Sequence, residues 1–329
     1  PTDQGPNTRS GHPLLVLQAP ADALVPEIVT PGEGQVRALV CVSGNPQRTV
    51  VGGTRTRDAL TGLDLLVCLT DHEDETAALA DWVLPTTHPW EQADLHAHDS
   101  QELPIKGAVW TPALVSPAGE ARGASEILAD LFKATKPGLR GSAWGTHLGL
   151  IARQLATGSL ETWETRLLDW AGLDRDQLNS PPHRIGVTES DRSPWCVRHE
   201  DERIDLFPEA IANLLPRLQA PREDPERSLF LRTSRTSRGG ALHRPEEQRT
   251  TRAWIHPDVG FEQDAQVRVS TRFGEVQARV QLDETLRSDV VDLPLDQPGS
   301  VGALIGMETL DALSGTPNLD GLNCAILGL

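Results

Sequence analysis

The stretches RALVCVSGNPQRTV, residues 37–50, and LDLLVCLTDHEDETAALADWVLPTT, residues 63–87, decide the fold of this chain. Residues 54–60, between the two stretches, and residues 73–80, within the second, have the composition of short helices. The helix at 73–80 carries carboxylates in its first turn. Apolar runs bounded by turn signals predict three strands, at Arg37–Val42, Leu63–Leu69 and Trp82–Leu84. Strands and helices alternating in this way indicate a parallel sheet covered by helices on both faces.

Ligands of such sheets bind at the carboxyl ends of the strands. The first strand here ends at the turn Ser43–Pro46, and the second ends at the polar segment Thr70–Thr76. These two segments are therefore the candidate binding site.

Three motifs in the same region resemble those of the molybdopterin oxidoreductases, the bis-molybdopterin guanine dinucleotide family that includes formate dehydrogenases and dimethyl sulfoxide reductases. They are GNP at 44–46, D-x-x-x-ETA at 71–77 and ADxVLP at 80–85, in the order and spacing of the family. PxGEAR at 117–122 is a further similarity.

The sequence from Ser228 onward predicts short strands with alternating apolar residues. It is similar to the family's last domain, a six-stranded double-psi barrel that covers the pterin cofactors. LFLRTSRTSRGG at 229–240 and SGTPxLxG at 314–321 carry this similarity. The resemblance implies a partial parallel-sheet, Rossmann-like α/β domain followed by a β-rich double-psi barrel domain. The expected boundaries are 1–180 for the incomplete α/β domain, 181–227 for a linker and crossover helix, and 228–329 for the barrel.

Residues at the strand ends are the candidates for holding a guanine dinucleotide. A Gly-Asn turn lets backbone N–H groups approach phosphate, with Gly44 free to adopt unusual dihedrals. Asp71 or Glu75 would accept from ribose hydroxyl or guanine N–H groups, and Thr76 would lie at a helix N-terminus. Arginines of the turn after the first barrel strand would pair with a pyrophosphate. The full set is Ser43, Gly44, Asn45, Pro46, Thr70, Asp71, Glu75, Thr76, Arg232, Thr233, Ser234 and Arg235.

Each of these candidates also has a plain structural interpretation. The Gly-Asn-Pro segment is a common turn, acidic residues are common at helix starts, and an Arg/Ser run is common in solvated loops.

The resemblance covers only the second half of the family's length. The family's iron–sulfur module, the segment that supplies the metal ligand and the first half of the α/β domain have no counterpart, and Gly302–Ile305 replaces a segment in which many members carry an Asn. A parallel sheet cut in half leaves an open apolar edge. We therefore expect a partner polypeptide, carrying the missing N-terminal half or an iron–sulfur subunit, to pack against residues 37–87, unless the sequence is part of a longer protein.

Composition excludes several classes of function. The chain has 329 residues and a net charge of −17, which argues against a nucleic-acid partner because phosphates demand a basic surface. No apolar run is long enough to cross a bilayer and no export signal is visible, so we expect a cytoplasmic location, either free or peripheral to a membrane complex. The four cysteines are too far apart in sequence to predict an iron–sulfur cluster in this chain: Cys41, Cys68, Cys196 and Cys324.

The segment 88–99 contains three histidines and two aspartates, which raises the possibility of a metal site. The spacing of His88, His96 and His98 enforces no convergent geometry, however. We assign no metal ligand and expect a solvated polar loop.

Two functions compete. In the first, the chain is the C-terminal half or a split subunit of a molybdopterin oxidoreductase, and it holds the guanine dinucleotide arms of a molybdenum or tungsten cofactor while the metal ligand and iron–sulfur clusters lie elsewhere. In the second, it is a cofactor-free, degenerate scaffold subunit of a larger electron-transfer assembly, like one in respiratory complex I. The barrel pattern disfavours a stand-alone nucleotide-binding protein. No catalytic acid, base or nucleophile is assigned, so we expect the chain to be part of an oxidoreductase assembly and not to be catalytically competent alone.

Overall fold

The chain groups into two compact units in a computed structural model. The first comprises Pro1–Cys68, Glu73–Val83 and Pro216–Leu329, and the second comprises Leu69–His72 and Leu84–Leu215. The predicted domains are continuous segments of the sequence, whereas each of these units combines separate segments. The predicted boundaries stay a prediction. The residues that the structure describes, some by their backbone alone, are 8, 11, 19–98, 106–135, 176, 184–187, 206–213, 228–233, 250–295, 301–306, 317 and 321–329.

A three-stranded parallel sheet forms around the stretch that the sequence singles out. Its strands pair in the order β1-β2-β3, with β1 at Ala38–Val42, β2 at Leu65–Thr70 and β3 at Trp82–Pro85. The predicted strands are thus confirmed. Three helices accompany the sheet, α1 at Leu24–Val29 after a 3-10 turn at Ala21–Ala23, α2 at Pro46–Thr49 and α3 at Thr54–Thr61. The prediction of α3 is confirmed, and α2 extends what the sequence predicts to be only a turn.

In the described part of the chain, α1 and α3 cover one face of this sheet along β1. Leu39 and Cys41 pack with the buried Leu66 and Cys68 of β2 against α1 and α3. Because side chains alternate across a strand, Val40 and its neighbours on β1 face the opposite side. Val40 is 44% exposed, so among the residues that the structure describes no helix covers this side of β1, and the predicted cover on both faces is not met there.

The predicted helix at 73–80 is wrong. Only Ala77–Leu79 forms a single 3-10 turn. The Asp74 carboxylate accepts from the backbone N–H groups of Thr76 and Ala77 at 2.9 and 2.8 Å, which delays the start of the helix. Asp81 ends it, because its N–H donates to the Leu66 carbonyl and its carboxylate accepts from the Leu66 N–H.

The second unit contains a three-stranded antiparallel sheet. Its order is β4-β5-β6, with β4 at Asp94–His98, β5 at Lys106–Thr111 and β6 at Arg184–Val187. The segment expected to be a polar loop therefore contains a strand, because its polar side chains alternate with Leu95 and Ala97, and β6 lies inside the segment expected to be a linker. Two helices are described in this unit, α4 at Ala124–Thr135, as predicted, and α5 at Glu209–Ala212.

The C-terminal region forms a closed six-stranded β-barrel, in the order β10-β8-β11-β7-β12-β9. Alternate side chains such as Val276, Ala278 and Val280 point into an apolar core. Two of its pairs, β8 with β10 and β7 with β11, are parallel. The predicted barrel is confirmed, and its double-psi arrangement stays a prediction. The strands are β7 at Leu229–Arg232, β8 at Arg252–Ile255, β9 at Gln266–Ser270, β10 at Glu275–Leu282, β11 at Val290–Asp292 and β12 at Leu322–Gly328.

Within the described ranges, no helix combines the length and the apolar character that crossing a membrane requires.

Candidate functional site

The turn after β1 is exposed at Ser43 and Gly44. Ser43 has a φ of 50°, in the left-handed region that non-glycine residues rarely adopt. The Cys41 thiol donates to the Gly44 carbonyl at 3.1 Å and helps to hold the turn. The unusual dihedral thus belongs to Ser43 rather than to Gly44, which corrects the prediction. A Cβ added to Gly44 would lie 3.5 Å from the Cys41 Sγ, an ordinary contact.

Asn45 ties this turn to the segment that follows β2. Its Nδ2 donates to the Glu75 Oε2 at 2.6 Å, and its Oδ1 accepts from the Thr76 hydroxyl at 2.8 Å. The Thr76 Oγ1 in turn accepts from the backbone N–H of Gln47 at 3.0 Å. Pro46 occupies the first position of α2, where its missing N–H costs nothing. The structure therefore brings Asn45, Glu75 and Thr76 together, with Asn45 bonded to each of the other two, and their contact with a ligand stays a prediction.

Arg48 completes this network, and sequence reasoning missed it. Its Nη2 lies 2.6 Å from the Glu75 Oε1 and 2.7 Å from Oε2, and its Nε lies 3.2 Å from Oε1. The Arg48 side chain is 14% exposed and that of Glu75 is 38% exposed. A basic residue shortly after the Gly-Asn-Pro turn was a usable signal, because a partly buried glutamate needs a cationic partner.

The pKa of Glu75 reflects this environment. Burial acts to raise it, but hydrogen bonds from Arg48 and Asn45 favour the carboxylate and together bring the pKa below its usual value. The turn therefore presents an ionised carboxylate whose charge Arg48 balances.

The other strand-end candidates, Thr70 and Asp71, belong to the second compact unit. The Thr70 hydroxyl donates to the His72 carbonyl at 2.9 Å, and the Asp71 Oδ1 lies 2.7 Å from the His72 Nδ1. Thr70 is buried and Asp71 is half-buried. These side chains form a local turn of their own.

The barrel candidates are only partly described. Arg232 ends β7 with an exposed side chain, and its carbonyl accepts from the Leu293 N–H at 2.9 Å. Thr233 is 6% exposed. Ser234 and Arg235 lie outside the described residues, so the predicted pyrophosphate contact stays a prediction.

A metal site also stays without support in the described part of the chain. No group of three or more His, Cys, Asp or Glu side chains there could hold a metal ion. The side chains of His96 and His98 lie outside that part. The His88 ring packs edge to face against Trp90, with centroids 5.6 Å apart.

A contact between the barrel and the segment after α2 was not predicted, and we name it the glycine joint: Val50–Gly53, Gly274 and Val301–Leu304. The Gly52 N–H donates to the Gly302 carbonyl at 3.1 Å. A Cβ added to Gly302 would lie 2.7 Å from the Val50 carbonyl oxygen, and one added to Gly53 would lie 2.8 Å from the Ala303 Cβ. These positions require glycine, because real Cβ atoms do not approach so closely.

Gly274, in the turn between β9 and β10, fixes the other side of the joint. A Cβ there would lie 2.6 Å from the Ala303 carbonyl oxygen. The nearby Thr271 hydroxyl donates to the Leu304 carbonyl at 2.7 Å. The segment that sequence comparison marks as a departure from the family is therefore a packing element in this chain.

Comparison with known proteins finds two family models. The model described as Molybdopterin oxidoreductase matches residues 6–134, and the model described as Molydopterin dinucleotide binding domain matches residues 227–322. The first includes the turn after β1 and the sheet, and the second includes most of the barrel.

Individual relatives are more distant. The chain is 27% identical over 107 residues to probable oxidoreductase YyaE of Bacillus subtilis, covering 32% of this chain and 16% of that protein. It is 27% identical over 180 residues to acetylene hydratase of Syntrophotalea acetylenica, covering 54% of this chain and 23% of that protein.

The solved structure of acetylene hydratase from Pelobacter acetylenicus shares the fold, with a TM-score of 0.67 and 17% sequence identity. The superposition covers 95% of this chain and 47% of that chain. The chain therefore spans about half the length of that structure and less of the two curated relatives.

Proposed function

The chain belongs to the molybdopterin oxidoreductase family and carries its dinucleotide-binding domain, and we propose that it holds the guanine dinucleotide arms of the pterin cofactor, as the C-terminal half or a split subunit of such an enzyme. In this proposal the metal ligand and any iron–sulfur clusters lie on other polypeptide segments. The proposal includes the double-psi arrangement of the barrel strands.

The observation that carries the proposal is that both matched regions occur in family order and meet at the glycine joint. Gly52 follows the Gly-Asn-Pro turn within the first match, and Gly302 lies within the second. A ligand with a long dinucleotide arm needs binding segments from both regions held rigidly, and backbone-to-backbone packing of this kind supplies rigidity.

The described residues fit the cofactor in part. Ser43 and Gly44 are exposed, so their backbone N–H groups would be the ones to meet a phosphate, and Arg232 is an exposed cation that would pair with it. Asn45, Glu75 and Thr76 bond to one another, so their role in the proposal is to position the turn rather than to contact the ligand. When bound, the pterin would supply the metal-centred electron transfer, and this chain would bind and orient it.

Metal and pterin content of the natively purified complex tests this function. We would measure Mo and W by inductively coupled plasma mass spectrometry, and pterin by the fluorescence of its acid-oxidised form. Near-stoichiometric metal and pterin are expected. Absence of both from a complex with its partners intact would overturn the proposal.

The second candidate is the cofactor-free scaffold of an electron-transfer assembly, and the network of Asn45, Arg48, Glu75 and Thr76 is the observation that favours it. Residues that satisfy one another serve the fold whether or not a ligand binds. Under either function we propose a cytoplasmic location, free or peripheral to a membrane complex, which cell fractionation tests.

A further inference from the structure

Two cysteines lie on neighbouring strands of the parallel sheet. Cys41 is on β1 and Cys68 is on β2, and these two strands are paired. At the start of the pairing, the Leu65 N–H donates to the Arg37 carbonyl at 3.4 Å. In a parallel ladder this bond places Ala38 beside Leu65. Three residues further along each strand, Cys41 therefore lies beside Cys68.

The two thiols also point to the same side of the sheet, since both belong to the core that α1 and α3 cover. Burial, followed by its neighbour Cys41, raises the pKa of Cys68 to about 12, as expected for adjacent thiols in apolar surroundings. Paired strands lie about 4.8 Å apart, and a disulfide requires Cα atoms between about 4.4 and 6.8 Å apart. The two cysteines therefore have the spacing of a disulfide without any change in strand pairing.

The Cys41 thiol has a second contact, which a disulfide would remove. Its S–H donates to the Gly44 carbonyl at 3.1 Å and helps to hold the turn after β1. Ser43 in this turn has a φ of 50°, a conformation that serine adopts only where the surroundings hold it. A sulfur that has lost its proton on oxidation cannot donate this hydrogen bond.

We propose that Cys41 and Cys68 are a redox modification site, in which a peroxide joins them in a reversible disulfide and thereby loosens the turn after β1. The reaction uses only thiols of this chain, so it does not depend on a bound cofactor. Its effect on cofactor binding rests on the proposed function, in which the same turn meets a phosphate.

The reaction balances with hydrogen peroxide as the oxidant. The Cys41 thiolate attacks one peroxide oxygen, the O–O bond breaks, and a sulfenic acid forms as hydroxide leaves. The Cys68 sulfur then attacks the Cys41 sulfur. The S–S bond forms, the S–O bond breaks, and the leaving oxygen departs as water with the thiol proton. Two thiols lose two electrons in total, and the peroxide is reduced to two waters.

Exposure determines which thiol reacts first. Cys41 is half-buried and Cys68 is only 3% exposed, so Cys41 meets the peroxide and Cys68 resolves the sulfenic acid. Burial raises the pKa of Cys41 as well, which keeps its thiolate fraction small and makes the first step slow. The second step is intramolecular between adjacent side chains and is therefore faster than the first.

Peptide mass spectrometry of the full chain tests the disulfide. The reduced protein is incubated with hydrogen peroxide, denatured in an alkylating agent and digested with trypsin. We expect the Cys41 and Cys68 peptides to be joined and to separate in dithiothreitol, with Cys324, which is fully buried on β12, recovered as an alkylated thiol. Unreacted Cys41, a bond from Cys41 to another cysteine, or Cys41 sulfinic acid with alkylated Cys68 would each overturn the proposal.

Two alanine variants make this test specific. Cys68→Ala removes the resolving thiol, so Cys41 should proceed to sulfinic acid without forming a disulfide. Cys324→Ala is the matched control, because it removes a buried thiol of the barrel and should leave the disulfide intact. Circular dichroism and the Tm of each variant check that it is folded. The joined peptides are read directly in the wild type, so the test does not depend on either variant.

Hydrogen exchange tests whether the turn loosens. In the disulfide form, the amides of residues 43–45 should exchange roughly two- to tenfold faster than in the reduced form, the effect of losing one hydrogen bond. Peptides from β9 and β10 serve as the internal control and should exchange at the same rate in both forms. An unchanged rate at residues 43–45 in the disulfide form would contradict the loosening of the turn.

These results are separable from those on cofactor content. A disulfide between Cys41 and Cys68 in a complex that lacks metal and pterin supports the redox site and removes the cofactor role. Metal and pterin in a complex whose two cysteines never join support the cofactor role and remove the redox site.

Discussion

The three-stranded sheet and the six-stranded barrel differ in how they pair their strand edges and bury their apolar side chains. The barrel closes on itself, so its strands have no edges and its inward side chains, such as Val267 and Val280, are fully buried. The sheet keeps two edge strands and leaves Val40 and Trp82 in water. The difference teaches that closure buries the inward side chains of every barrel strand, whereas an open sheet buries those of β1 only on the side that α1 and α3 cover.

The largest effect is expected at the glycine joint, because it packs the segment after α2 against the barrel. Gly302→Ala forces a Cβ to within 2.7 Å of the Val50 carbonyl oxygen, a backbone atom that cannot rotate away. We expect a loss of about 3 kcal/mol in the free energy of unfolding, measured by urea denaturation. Gly328→Ala is the control, since its Cβ meets nothing closer than 3.7 Å. Equal stability of the two variants would show that the joint is loose.

The next largest effect is expected at the partly buried ion pair of Arg48 and Glu75. Glu75→Gln leaves Arg48, only 14% exposed, without its anionic partner. We expect a loss of about 1 kcal/mol in unfolding free energy, modest because the 38% exposure of Glu75 lets solvent screen the pair. The exposed pair of Arg37 and Asp64 gives the contrast, and Asp64→Asn should change stability by less than about 0.5 kcal/mol. A larger effect at Asp64 would contradict this reading.

A smaller effect is the pH dependence of the same site. The folded pKa of Glu75 lies below its unfolded value, so its stabilisation is present above the unfolded pKa, about 4.3, and disappears as pH falls through the folded pKa. The stability difference between wild type and Glu75→Gln should therefore shrink as pH is lowered from about 6 into this window. Thermal melts of both proteins across that range measure it. A constant difference would mean that Glu75 is not the titrating group.

The smallest effect concerns thiol reactivity, and it compares sheet and barrel directly. Burial raises the pKa of Cys68 in the sheet and of Cys324 in the barrel to about 12, so both should resist alkylation by iodoacetamide at pH 8. Cys41, half-buried at the open end of β1, should react before them although burial raises its pKa too. Peptide mass spectrometry of timed samples ranks the rates. Cys324 reacting first would indicate that the barrel opens readily.

The sequence was sufficient for elements whose signal is local. β1, β2, β3 and α3 follow from apolar runs and turn residues, and the barrel follows from alternating strands with family-like motifs. The helix expected at 73–80 failed because Asp74 and Asp81 bond to the backbone on either side of it, and no periodicity records such bonds.

The candidate site shows the same limit. The grouping of Asn45, Glu75 and Thr76 followed from the strand-end rule, but the rule does not say whether side chains face a ligand or one another. Arg48 and the glycine joint were missed because their partners are distant in sequence. Gly302 in particular is explained only by the Val50 carbonyl oxygen that it contacts.

The glycine joint also sets the order in which this protein can be assembled on a ribosome. Gly52 is made well before its partner Gly302 and before the barrel strand β12. Until then β7 and β9 lack the strand that lies between them, and the sheet lacks its neighbour. The nascent chain therefore holds apolar strands exposed until β12 is made, and such unpaired strands are prone to aggregation during synthesis.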